Sequence, residues 1–124
     1  MRLKTNLVSS LLGLSLLVAC ATQGSPPTQV NRGALTNTAG MTLYTFDKDP
    51  PGKSACNDKC AVNWPPLMAK AGDTGTGDYT IITRDDGSKQ WAYKGKPLYL
   101  WSKDQKPGDT TGDGVGKVWH TAKP

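Results

Sequence analysis

The sequence predicts an all-β fold: a small antiparallel domain of two pseudo-equivalent repeats, with room for one short helix beside a disulfide. Three observations carry this expectation. A gapless self-similarity at an offset of 55 residues joins 40–64 to 95–119. Short aromatic and β-branched segments alternate with turns rich in Gly, Pro and Asp. No long stretch places apolar residues at the 3.6-residue period of an amphipathic helix.

The repeat is carried by rare residues. At the common offset Gly40 meets Gly95, Leu43 meets Leu98, Tyr44 meets Tyr99, Phe46 meets Trp101, Asp49 meets Asp104 and Trp64 meets Trp119. Each copy opens on a strand, Leu43-Tyr44-Thr45-Phe46 or Leu98-Tyr99-Leu100-Trp101. Alternation sets Tyr44 and Phe46 on one face and Leu43 and Thr45 on the other. The strands stop where Asp folds back onto backbone amides, Pro cannot continue a ladder and Gly accepts a positive φ, at Asp49-Pro50-Pro51-Gly52 and at Asp104 to Gly108. Gly33 to Thr38, Tyr79 to Thr83 and Gln90 to Tyr93 read as further strands, separated by turns at Arg84 to Ser88 and Lys94 to Pro97. Ser54 to Asn63 is the segment that can form a helix. The aromatic residues are expected to form the core, since few large aliphatic side chains are present to build one.

The N-terminal segment has a different character. Met1-Arg2-Leu3-Lys4 is followed by an apolar run from Leu7 to Ala19, too short for a comfortable membrane span but of signal-peptide length. The run ends in Leu17-Val18-Ala19-Cys20, the pattern of a bacterial lipobox. Residues 1–19 are therefore expected to be removed and Cys20 to carry acyl chains such as palmitate, two or more of which suffice for stable anchoring. Residues 20–29 read as a polar tether, and 30–124 as the repeat domain, with cores at 40–64 and 95–119. The expected location is the cell envelope. Ala21, in place of the Asp that retains lipoproteins in the inner membrane, favours the outer membrane in a Gram-negative host.

The formal charge of +5 falls to +3 once Arg2 and Lys4 are set aside, too mild to argue for nucleic acid. With Cys20 assigned to lipid, Cys56 and Cys60 remain. In an oxidising compartment such a pair defaults to a disulfide, and their spacing lies within bonding range on one helical turn.

From Tyr44-x4-Asp49 through Cys56-Asn57-Asp58-Lys59-Cys60-Ala61-Val62-Asn63-Trp64-Pro65-Pro66-Leu67, the chain resembles a family of predicted bacterial lipoproteins and secreted repeats named for the Tyr-x4-Asp motif. The resemblance continues through Arg84-Asp85-Asp86-Gly87 and Gln90-Trp91-Ala92-Tyr93-Lys94-Gly95-Lys96-Pro97-Leu98-Tyr99, the second motif Tyr99-x4-Asp104, and Gly108 to Gly114 and Val118-Trp119-His120. It implies an exported or lipid-anchored domain of paired repeats. It implies no established activity, so it carries over no catalytic residue.

Read as chemistry, Tyr44, Asp49, Tyr99 and Asp104 suit a ring in the core and a carboxylate capping the turn that follows. The lone His120 marks no triad. Cys56-x3-Cys60 shares its spacing with a binuclear copper centre, but Trp64 stands where the His would be and Met68 falls one residue late. Asp109-Thr110-Thr111-Gly112-Asp113-Gly114 imitates the first half of a calcium loop, yet Thr111, Lys117 and His120 occupy the positions where affinity is decided. Asp109 and Asp113 are thus weak metal candidates, and no cofactor is expected. Asp104, Asp109 and Asp113 are placed instead to accept backbone N–H bonds in a Gly-rich loop. The functional expectation is a non-enzymatic envelope module that binds an unknown partner or ligand. The alternative is an envelope redox or metal-binding protein using Cys56 and Cys60 or the Asp109–Asp113 loop.

Overall fold

The computed structural model describes residues 25–124, together with Gly13 taken singly; Cys20 and the expected signal segment lie outside the described residues. Seven short strands follow one another: β1 (Gln29–Asn31), β2 (Ala34–Thr36), β3 (Tyr44–Phe46), β4 (Tyr79–Thr83), β5 (Lys89–Tyr93), β6 (Lys96–Pro97) and β7 (Trp119–Thr121). One helical turn, α1 (Lys59–Asn63), lies between β3 and β4, and a short 3-10 segment, Val115–Lys117, precedes β7. Every pairing is antiparallel: β1 with β2, β3 with β7, and β4-β5-β6 in order. The all-β reading holds. The helix is shorter than the segment from Ser54 allowed, because Ser54 and Cys56 turn into the core instead of following a helical path.

The two repeats are equivalent in their backbone bonding. In one half Ala122 N–H donates to Leu43 O at 2.8 Å, Leu35 N–H to Ala122 O at 2.9 Å and Asp47 N–H to Val118 O at 2.8 Å. In the other half Leu67 N–H donates to Leu98 O at 2.9 Å, Trp91 N–H to Leu67 O at 2.8 Å and Ser102 N–H to Asn63 O at 2.9 Å. Each central strand of one repeat thus pairs with the returning Trp segment of the other repeat. A pseudo-two-fold axis passes between Tyr44 and Tyr99, which exchange backbone bonds of 2.8 and 3.0 Å.

Two departures from symmetry have local causes. Tyr99 sits in isolated bridges, to Tyr44 and Pro66, where Tyr44 lies in a regular strand. The segment opposite Tyr99 reads Trp64-Pro65-Pro66, and Pro has no N–H to return to the ladder, whereas His120 and Thr121 do. Upstream, the offset between equivalent residues changes by one. The loop after β2 is held by Asn37, whose Oδ1 accepts from Ala39 N–H at 3.0 Å and Met41 N–H at 2.9 Å. The turn between β5 and β6 closes in fewer residues because Lys94 and Gly95 both take positive φ, 49° and 80°.

The core lies in two clusters on opposite faces of the central strands. Leu35, Leu43, Trp91, Leu98 and Ala122 form one, and Tyr44, Cys56, Trp64, Tyr99 and Trp119 the other. This is the alternation read from the strand sequence. Leu43, Tyr44, Leu98 and Tyr99 are all fully enclosed.

Candidate functional site

The motif residues converge on the axis, but the bonds cross between repeats. Tyr44 donates its hydroxyl to Asp104 Oδ2 at 2.6 Å, and Tyr99 donates to Asp49 Oδ2 at 2.6 Å. Each Tyr-x4-Asp motif is therefore completed by the carboxylate of the other copy. The expectation that Tyr fills the core and Asp caps its turn was half of the arrangement. Asp49 Oδ1 does accept from Ala55 N–H at 2.6 Å, and Asp104 Oδ1 from Thr111 N–H at 3.0 Å. The remaining oxygen of each carboxylate crosses to the other repeat. Hydrogen bonds to charged groups contribute about 1.5–3 kcal/mol each, so two reciprocal ties fasten the halves as well as their loops. Burial, reinforced by donation to a carboxylate, holds both Tyr44 and Tyr99 well above the ordinary tyrosine value of 10.0. Burial likewise raises Asp49, opposed by the Tyr99 hydroxyl, Ala55 N–H and the nearby Arg84 charge.

Between these ties runs an aromatic stack. Trp64 and Trp119, equivalent across the axis, lie face to face at 3.8 Å with planes 4° apart. Trp101 stacks on Trp64 at 3.9 Å and Phe46 on Trp119 at 4.2 Å, so four rings form one column. Tyr44 meets the edge of Trp64 at 5.4 Å and Tyr99 that of Trp119 at 5.1 Å. Trp64 and Trp119 are 4% exposed, which places them in the core, where the aromatic residues were expected.

The cysteines close as a disulfide with Cα atoms 5.2 Å apart. Cys56 is fully enclosed and Cys60 half-buried. Arg84, which the sequence offers as the first residue of a turn within the family resemblance, is 5% exposed and organises this loop. It donates to Gln90 Oε1 at 2.7 Å, to Ser54 Oγ at 3.0 Å and to the Cys56 carbonyl at 2.5 Å. Ser54 in turn meets the Tyr99 hydroxyl at 2.7 Å, so a chain of bonds runs from Arg84 through Ser54 and Tyr99 to Asp49. A lone Arg before a turn carries no sequence signal of this role.

The second loop uses its carboxylates on backbone amides, as their placement suggested. Asp109 Oδ2 accepts from Gln105 N–H at 2.9 Å and Lys106 N–H at 3.1 Å, and these bonds, the first above all, lower its pKa. Asp113 Oδ1 accepts from Thr121 N–H at 3.1 Å. Among the described residues no three His, Cys, Asp or Glu side chains gather as a metal cage would need. His120 Nε2 pairs with Asp47 Oδ2 at 2.7 Å on the surface, where both are about half exposed.

Several clefts open around this framework. One, about 800 Å³, lies between the loop at 69–75 and β4, lined by Ala69, Ala71, Gly75, Ile81 and Lys89. A second, about 370 Å³, lies between β3, β7 and the β5–β6 turn. A family model described as a secreted repeat of unknown function matches residues 30–68 and again 80–123. The chain belongs to this family of secreted repeats. The two matches fall on the two halves related by the axis through Tyr44 and Tyr99, so the family's repeat is the unit that pairs here with itself. No curated protein and no solved structure matches the chain.

Proposed function

We propose that this chain is a non-enzymatic binding module of the cell envelope, anchored by acyl chains on Cys20. The observation that carries the reading is the crossed arrangement of the motifs. Tyr44, Tyr99, Asp49 and Asp104 are engaged with one another and with loop amides, which supports a framework role for the family's motif. The enclosed Cys56 and the amide-bound Asp109 and Asp113 favour the same view over a redox or metal role. What remains for function is the surface that the framework displays, above all its clefts of 300–800 Å³, the size range of small-ligand sites.

The test uses full-length protein purified in detergent, followed by amide NMR during titration with soluble peptidoglycan fragments. Localised shifts without any change in fragment mass are expected. Conversion of the fragments to new masses would overturn the non-enzymatic reading, and the absence of any localised shift would overturn binding to this class. Replacing Cys20 with Ala and fractionating cells tests the anchor: the variant should leave the membrane, and wild type should carry acyl mass.

A further inference from the structure

The two halves share a backbone, but they do not share a surface. Beside β3 and β7 lie Asp47, Lys96, His120 and Lys123, lining the cleft of about 370 Å³ with Thr45 and Lys94. The offset of 55 that relates the halves puts Ser102, Met41, Pro65 and Met68 at the first four of these positions. The same bonding pattern therefore folds with apolar or neutral residues on this face, and Met68 stands 47% exposed there. The charges beside β7 are surplus to the fold.

They are also unevenly engaged. Asp47 is held by His120, and Asp113, at the rim, accepts from Thr121 N–H. The ammonium groups of Lys94, Lys96 and Lys123 have no carboxylate within salt-bridge distance among the described residues, and Lys94 reaches only the Tyr93 ring, at 5.2 Å. Lys94 and Lys96 continue into a neighbouring cleft of about 300 Å³, where the carboxylate of Asp49 is already taken by Tyr99 and Ala55. Among the described residues, three lysines without a carboxylate partner thus line one cleft, while its carboxylates Asp47 and Asp113 are each hydrogen-bonded.

We propose that this cleft binds an oxyanion, a phosphate or carboxylate group carried either by a soluble envelope molecule or by a lipid headgroup. The proposal deepens the binding-module reading and rests on it. Lysine ammoniums recognise such groups as point charges with freely rotating donors, and Thr45, which also lines the cleft, carries a hydroxyl.

The full-length protein in neutral detergent is titrated with inorganic phosphate and with acetate, against chloride at matched ionic strength, while amide shifts are followed. Phosphate or acetate is expected to move Thr45, Lys94 to Lys96 and His120 to Lys123 beyond the chloride response. A triple variant, Lys94→Asn, Lys96→Met and Lys123→Met, should fold, because Asn-Gly suits the turn and the equivalent face already carries Met at the other two positions. It should lose most of the response. Vesicles of phosphatidylglycerol that compete with phosphate for these residues, where phosphatidylcholine vesicles do not, would assign the anion to a headgroup; no competition would assign it to a soluble molecule. Equal shifts from chloride, shifts confined to other residues, or an undiminished response in the folded variant would overturn the site. A protein that binds peptidoglycan fragments while this cleft ignores both anions loses this inference and keeps the binding reading. A cleft that takes phosphate in a protein that binds no fragment keeps this inference and overturns only binding to the peptidoglycan class.

Discussion

The loops that follow β3 and the segment around Tyr99 perform one task by different means. Each must leave a central strand, pass its Asp to the opposite Tyr and return a Trp to the stack. The first loop is braced from within and from above: the disulfide closes Cys56 to Cys60, and Arg84 grips Ser54 and the Cys56 carbonyl. The second has neither brace. Its Asp104, Asp109 and Asp113 accept four backbone N–H bonds, from Thr111, Gln105, Lys106 and Thr121. Its closest approach to the core is Gly112, whose N–H donates to the Tyr44 hydroxyl at 3.2 Å. A Cβ built there would lie 2.9 Å from the Trp64 and Tyr44 rings. At the equivalent position the first loop carries Asn57, which has room for a side chain. Duplicated backbones thus tolerate different stabilising chemistry, provided the Tyr-Asp ties and the Trp pair are kept.

The comparison can be broken most severely by separating the halves. Because each repeat borrows the other's carboxylate and strand partner, fragments 25–72 and 73–124 should each be unfolded by circular dichroism and should regain structure on mixing. A folded single fragment would show that the crossed ties are incidental. Next in size, Gly112→Ala should cost about 3 kcal/mol in urea denaturation, the upper range for overpacking a close contact, while Asn57→Ala should change stability by about 1 kcal/mol or less. Similar losses at both positions would remove the claimed difference between the loops. Reducing the disulfide, or replacing both cysteines with Ser, should leave a folded protein less stable by about 2 kcal/mol, the loop-entropy value for so short a ring. A change of pH alone acts through the paired tyrosines and is silent at neutrality. Their folded pKa values lie above the unfolded value of 10.0, so their contribution is complete below that pH and declines as pH rises beyond it. Alkaline unfolding should show that onset, and Tyr44→Phe should reduce the number of protons released. An unchanged proton count would mean that Tyr44 is not held neutral.

The sequence carried the repeat, the strand alternation and the use of loop carboxylates on amides, because these depend on residues near one another in the chain or on a constant offset. Leu43 and Tyr44 fell on opposite faces as a period of two requires. The offset of 55 also established that Tyr44 and Tyr99 are equivalent, and Asp49 and Asp104 likewise. It could not establish which Tyr meets which Asp. An internal repeat is compatible with a motif closed on itself or exchanged with its partner, and only packing about the axis chose exchange. Arg84 was legible as a turn residue within the family resemblance, but its partners were not, since Ser54 and Cys56 lie about 30 residues away in the chain. The charged cleft was illegible for the same reason. Asp47, Lys96 and Lys123 belong to three separate segments, and strand pairing between the repeats brings them to one face.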